Sequence, residues 1–506
     1  MCAGMFMAVL DIQIVASSLP DIERGLDIPT NLLSWVQTAY LIAEVIAIPL
    51  TGWLTRLLSL RGLFVVAVLG FTAASLGCAL VHGFGPFIAL RAVQGFCGGS
   101  MIPTVFTSVF LMFPRRSQAK ATAIVGVVAM LAPTLGPTLG GYITETYSWH
   151  WLFLINVGPG LIVAVLAFRL LKHERPAWDL LARLDYRSLF LLAVFLGSLE
   201  LVLKEGPKRN WSDGVVLALI AICLATGMSF IRRSLRQPDP LVDLRLLQEL
   251  RFAAGCLFSF ILGMGLYGSV YLLPLFLSFV RQHTALEIGR IMLVTGAAQL
   301  LAAPFAAWLE RRSDCRLLTG VGYAMFALGM IVNGFATYET DFDGLFWPQV
   351  LRGVAMMLCI LPTTTLALAA QLASHMAEAS GLFNLMRNLG GAIGIALIDT
   401  VLELRPSVHV ATFVERLQAG DPRAALAVGL PTDRFHNVPL GPVDEATKAV
   451  VAPLVERAAA VASFNEAWLL VGILFAASLL LLFLLGPAVA AERSPTGPEP
   501  DASLPR

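Results

Sequence analysis

Fourteen apolar stretches of about twenty residues each, joined mostly by short charged turns, constrain this chain of 506 residues more than any other feature. They lie near 3–20, 33–54, 63–81, 86–108, 120–142, 151–171, 186–204, 214–231, 253–279, 288–308, 316–336, 346–368, 380–402 and 466–486. A helix of about 20 residues crosses the roughly 30 Å hydrocarbon layer of a bilayer, and lipid leaves a spanning backbone no partner but itself. The fold class is therefore all-α polytopic membrane protein with 14 transmembrane helices. Composition agrees: 57% of residues are hydrophobic and 14% charged, against about 25% charged in a soluble protein.

A net charge of +1 gives no sign of nucleic acid as a partner. Of the seven cysteines, Cys78, Cys97, Cys223, Cys256 and Cys359 lie inside apolar segments, and no CxxC or Cys/His cluster appears. That argues against a metal site or a disulfide framework. The first apolar run holds Asp11 and no small-residue cleavage site, so it reads as a retained helix rather than a signal peptide. The sequence begins almost inside that helix, without a basic lead; the start codon lies upstream or the first helix is unusually short.

Loop charge sets the orientation. Arg56, Arg61, Arg115, Arg116, Lys120, Arg169, Lys172, Arg175, Arg183, Arg187, Arg232, Arg233, Arg236, Arg245, Arg251, Arg311, Arg312 and Arg316 all fall on one side. The opposite short loops carry fewer cations, offset by Asp21, Glu23, Asp27, Glu205, Glu339, Asp341 and Asp343. The positive-inside rule makes the first side, and both termini, cytoplasmic. The long loop 405–465 then faces outward. The stretches around VERLQ and AAVASFNEAWLL suggest amphipathic helix, interrupted by Pro431, Pro439 and Pro442; the loop is a solvated spacer or a docking element.

Span five is the most unusual helix. Residues 131–142, LAPTLGPTLGGY, place Pro133, Gly136, Pro137, Gly140 and Gly141 inside an apolar run. Interior glycine costs about 1 kcal/mol and proline about 3 kcal/mol against alanine. Gly136 and Gly140 share a face, as do Pro133 and Pro137. The glycines admit a close neighbour and the prolines bend the rod, so the span is either a moving part or a tight static contact.

Span four holds Gln94-Gly95 with Pro103 eight residues on, and span twelve holds Arg352-Gly353 with Pro362 nine residues on. This echo fits a duplicated six-helix unit, with the site at the repeat interface near the midplane. The organisation read from it is an N-terminal six-helix bundle, 1–171; two inserted helices with flanking loops, 172–245; a C-terminal six-helix bundle, 246–486; and a disordered cytoplasmic tail, 487–506.

Ionisable groups at bilayer depth cost at least about 2.5–3.5 kcal/mol and are presumed functional. Asp11 and Glu44 lie roughly 14 Å and 16 Å from the outer ends of spans one and two, from a rise of about 1.5 Å per residue. Arg91 on span four can reach the same depth, so Asp11, Glu44 and Arg91 are expected to meet, as a proton-coupling group or as a permanently paired structural cluster. The second half offers a polar cavity from Asn384, Arg387, Asn388, Arg352 and Asp399, the first three on one helix face. Glu200 and Glu403 sit at span ends and are expected to be solvated.

LDIQIVASSLPDI (10–22) resembles the first-helix signature of the fourteen-span drug:proton antiporters of the major facilitator superfamily, the EmrB/QacA type. LRAVQG (90–95) resembles that superfamily's fourth-helix motif, and LAPTLGPTLGGY its fifth-helix antiporter motif. YSWHWLFLINVGPG (147–160), DPLVDLRLL (239–247), FWPQVLRG (346–353) and FNLMRNLGGAIG (383–394) are similar to the EmrB branch.

The resemblance covers about residues 4–486. It implies the major facilitator fold, two six-helix bundles plus two inserted helices, and proton-driven export of hydrophobic or amphipathic compounds across a bacterial inner membrane. Asp11 matches the family's first-helix acid and Arg91 its proton-linked arginine. No cofactor is implied; the proton gradient supplies the energy. A periplasmic adaptor protein and an outer-membrane channel are implied partners. GWLTRLLSLRG (52–62) departs from the superfamily's loop motif, with Arg56 where aspartate is usual and Ser59 where glycine is. Gln13 and Ser17 depart from the first-helix signature.

The same machinery could serve one metabolite, such as a siderophore or biosynthetic product. An enzyme would need a catalytic constellation, and the seven histidines (His82, His150, His173, His283, His375, His409 and His436) are scattered with no HExxH. A channel would more naturally show a filter-like loop.

Overall fold

The computed structural model describes residues 1–26, 32, 35–172, 176–369, 371–438, 440 and 445–483, with the side chains of Pro133 and Pro137 outside that description. The tail 487–506 and Asp27, His173, Arg175, Pro439 and Pro442 also lie outside the described residues. Among the described residues there is no strand, and a helix occupies each of the fourteen apolar stretches.

The helices begin and end where local chemistry stops them. Trp35–Leu80 is one continuous helical run by hydrogen bonding, but Ser59 at φ 68° and ψ 162° breaks it into spans two and three. Glycine is the residue that takes such a conformation cheaply, so the Ser59 departure is paid for in backbone strain. Aspartates cap several starts: Asp185 accepts from the Arg187 and Ser188 amides, Asp213 from Val215 and Asp314 from Arg316. Thr284 and Glu287 form a reciprocal capping box at the start of span ten.

Arg115–Thr146 stays helical through both prolines and carries span five from one face of the molecule to the other. It packs along span one in its own half and along span ten in the other half. Span thirteen makes the second bridge, against spans two and four. The inserted pair, Tyr186–Lys208 and Gly214–Arg236, packs on itself and lays span seven against spans two and thirteen. Only 28% and 22% of their most apolar windows are buried, against 78% in Phe84–Met112, so the pair is peripheral.

Three large apolar cores among the described residues follow from this packing. One belongs to the C-terminal half and takes in Ala123 and Val127 of span five. A second joins N-terminal residues such as Phe64, Phe71 and Phe106 to Ala367, Leu368, Met376 and Ala379 of the C-terminal half. The third, around Ile14, Val36, Phe87 and Phe153, consists of N-terminal residues alone. The halves are thus joined toward the face that carries the arginine-rich loops. Two polar links lie there: Ser380 Oγ donates to the Pro103 carbonyl at 2.9 Å, and Arg56 Nε sits 3.2 Å from Glu378.

The reading of 405–465 as a loop is corrected in part. Span thirteen continues unbroken as Met376–Gln418, and the last helix starts at Glu445. The continuation beyond residue 402 is roughly 24 Å long at about 1.5 Å per residue. Leu417, Ala424, Ala425, Val428, Val455 and Ala458 give it a small core, and Arg405 forms a bidentate pair with Glu466. A helix continues here because the segment can bury apolar side chains against its returning partner.

Candidate functional site

Asp11 and Arg91 form a completely buried ion pair between spans one and four, Nη1 to Oδ2 at 2.5 Å. Every other bond at Asp11 comes from a side chain that the apolar runs would otherwise exclude. Gln94 Nε2 and Asn156 Nδ2 each donate to Oδ1 at 2.9 Å. Gln94 also donates to Ser75 Oγ at 2.7 Å and accepts from Arg91 Nη1 at 2.6 Å. Arg91 Nε donates to the Val36 carbonyl at 3.1 Å, and its guanidinium lies 4.5 Å from the Tyr40 ring centroid. Tyr40 in turn donates to the Ala8 carbonyl at 3.1 Å. Five of the six spans of the N-terminal half therefore contribute to one buried polar network.

Close helix approach makes this possible. A Cβ at Gly95 would lie 2.2 Å from the Tyr40 carbonyl oxygen, so spans two and four touch backbone to backbone beside Arg91. A Cβ at Gly136 would lie 2.3 Å from that of Gln13, which brings the glycine-rich helix onto span one two residues from Asp11. Gly140 is buried and Gly141 half-buried; the Gly140 carbonyl accepts from Thr144, whose hydroxyl also bonds Ser18 at 2.8 Å.

Glu44 does not join the pair. It is 5% exposed and, among the described residues, makes no hydrogen bond. Its charge is repelled by Glu200 on inserted span seven and attracted by Arg91. Glu200 is half-buried rather than solvated, because Gly197 and Lys204 on the same face meet Ile42 and Thr38 of span two.

The second-half residues separate into three places instead of one cavity. Arg387 bonds Asn384 and lies 5.1 Å from the Phe106 ring centroid, across the boundary between halves. Asn388 accepts from Tyr267 at 3.0 Å beside it. Arg352 is buried among spans nine, ten and twelve, and Asp399 is held by Tyr271 at 2.6 Å. Rise along the helix separates Asp399 from the Asn384 group: it lies eleven or more residues further along the same helix, which is roughly 16 Å.

Gln94, Ser75, Asn156 and Tyr40 are site residues that inspection of charge alone passes over. Their signal was available: each is a polar side chain inside an apolar run, and buried polar groups need partners. Among the described residues no group of histidine, cysteine, aspartate or glutamate is arranged to hold a metal ion.

A helical protein with two bundled halves and a buried acid–arginine pair inside one of them belongs to the class of secondary membrane transporters. The family model described as Major Facilitator Superfamily matches residues 1–395. The chain is 41% identical over 411 residues to the colistin resistance protein EmrB of Acinetobacter baumannii, covering 81% of this chain and 80% of that one. It is 30% identical over 422 residues to the multidrug export protein EmrB of Escherichia coli K12, covering 83% and 82%. The human organic anion transporter MFSD10 superposes with a TM-score of 0.58 at 15% identity, over 94% of this chain and 97% of that one. The chain belongs to the Major Facilitator Superfamily, in its EmrB branch.

Proposed function

We propose that the protein is a proton-coupled antiporter that exports hydrophobic or amphipathic compounds across a bacterial inner membrane, with the arginine-rich loops and both termini on the cytoplasmic side. The observation that carries this reading is the Asp11–Arg91 pair, buried without exposure and tied to Gln94, Ser75 and Asn156.

A proton on Asp11 removes the charge that Arg91 faces. Arg91 then keeps Gln94, the Val36 carbonyl and the Tyr40 ring, while span one loses its ionic tie to span four. Span one is packed on the glycine-rich helix, which also touches span ten of the opposite half. Protonation at Asp11 thereby acts on the contact along which the halves must rock. The relatives named for colistin resistance and multidrug export support amphipathic cargo. The helical continuation of span thirteen with the returning Glu445–Ser478 helix is the surface assigned to a periplasmic adaptor, which would pass cargo to an outer-membrane channel.

The test is compound-driven proton release in inverted vesicles, read with a pH dye across lipophilic cations and weak acids, with Asp11→Asn as control. Responses to several unrelated compounds, lost in the variant, support a polyspecific antiporter. Silence across the panel with correctly inserted protein points to a dedicated exporter of one metabolite. Full antiport by Asp11→Asn removes Asp11 from the proton path.

A further inference from the structure

Arg352 in span twelve is 2% exposed. Arg91 in the other half has Asp11 against it, but among the described residues Arg352 is in no ion pair. Arginine does not shed its proton to escape such a setting, and a buried cation without a counter-charge is among the costliest groups a fold can hold.

Neutral acceptors satisfy only part of the guanidinium. Arg352 Nη1 donates to the Ser269 carbonyl at 3.1 Å and Nη2 to Thr295 Oγ1 at 3.0 Å. Thr295 spends its own proton on Gln349 Oε1 at 2.7 Å. Gln349 precedes Arg352 by three residues and so shares its helix face. Arg352 Nε and Gln349 Nε2 are both buried without a hydrogen-bond partner, as is the acceptor Gln299 Oε1 on span ten. Span ten closes the place from the other side: a Cβ at Gly353 would lie 2.6 Å from the Thr295 carbonyl oxygen and 3.2 Å from the Gln299 amide nitrogen.

The geometry points to a small-anion site in the C-terminal half, in which a monatomic halide, chloride in the cell, is held by Arg352 and Gln349 and neutralises the buried guanidinium. The burial of Arg352 and the packing of spans ten and twelve restrict the occupant to a small ion. Such an ion is to Arg352 what the Asp11 carboxylate is to Arg91: the negative charge that lets a cation reside at that depth.

The experiment uses the full chain in lipid nanodiscs at constant ionic strength, exchanging chloride for gluconate. Thermal melting and radiolabelled chloride binding are both read. The expected result is a saturable rise in melting temperature with chloride and stoichiometric chloride binding, both lost in Arg352→Gln and kept in Arg352→Lys. Gln349→Leu removes a donor without removing the charge and is expected to weaken chloride binding about tenfold, a loss of about 1.4 kcal/mol. Equal melting in chloride and gluconate with no bound chloride in the wild type overturns the site. Chloride binding that survives in both Arg352→Gln and Gln349→Leu overturns it as well.

Discussion

Arg56 is ion-paired to Glu378 across the boundary between the two halves, Nε to Oε1 at 3.2 Å. Its Nη1 also reaches Asp239, beside the inserted helices, at 2.9 Å. Arg56 stands where the superfamily's loop motif usually has aspartate, and the structure gives the reversed charge a partner: an acid at the start of span thirteen. The three parts of the chain are thereby pinned together on the arginine-rich face. The Glu378 side chain is 12% exposed while that of Asp239 is 64% exposed, so the Glu378 arm carries most of the interaction.

That arrangement predicts a latch. Arg56→Glu should favour separation of the halves on this face, by about fivefold for a pair worth about 1 kcal/mol. Arg56→Glu combined with Glu378→Arg should restore the original ratio. Distances between spin labels on spans two and thirteen measure it; an unchanged distance distribution in the single variant refutes the latch.

Within the Asp11–Arg91 network, structure and transport separate by a double variant. Removing one partner of a buried pair costs about 3–5 kcal/mol, because the other charge is left alone. Asp11→Ala should therefore lower the melting temperature strongly, and Asp11→Asn combined with Arg91→Gln should recover much of it. Transport should be absent from both. Recovery of proton-coupled export in the double variant would show that the pair only holds the helices together.

Glycine spacing gives a stability comparison. Gly95→Ala must displace the Tyr40 backbone, and overpacking of this kind costs about 1–3 kcal/mol. Gly85 has nothing within 4 Å of where its Cβ would stand, so Gly85→Ala should be neutral or stabilising by up to about 1 kcal/mol. Thermal melting of the two variants side by side checks the ordering.

Asp185, at the start of span seven, predicts an acid-sensitive contribution. Partial burial alone would raise its pKa, but hydrogen bonds from Arg233, Ser188 and Gln237 outweigh that and hold the carboxyl well below its usual value. A depressed carboxyl stabilises the fold above its unfolded pKa of about 3.9 and loses that contribution as pH falls through the folded value. Melting of the wild type should therefore drop below about pH 4 by more than that of Asp185→Asn. Parallel melting curves for the two proteins would remove Asp185 from the account.

The glycine-rich span shows how far local pattern reaches. Gly136 and Gly140 are legible as a face open to close approach, because spacing along a helix is set by 3.6 residues per turn. Which helix approaches is not legible: Gln13 meets Gly136 from 123 positions away. The same holds for Asp11, whose depth could be counted from the span ends but whose partners Arg91 and Gln94 come from span four and Asn156 from span six. Glu44 had a comparable depth and was expected at the same place; among the described residues it makes no hydrogen bond to either Asp11 or Arg91.

The sequence by itself determined that this chain is helical, crosses a membrane many times, and carries charges that lipid would reject. Hydropathy is a property of consecutive residues, and the bilayer's thickness converts it directly into helix number and length. Only the tertiary structure decided which of those charges are paired, because pairing depends on rotation and neighbour choice among helices. Asp11 meets Arg91, Arg56 meets Glu378, and among the described residues Arg352 meets no acid. No local pattern distinguishes the three arginines; the side chains that packing brings within about 3–4 Å do.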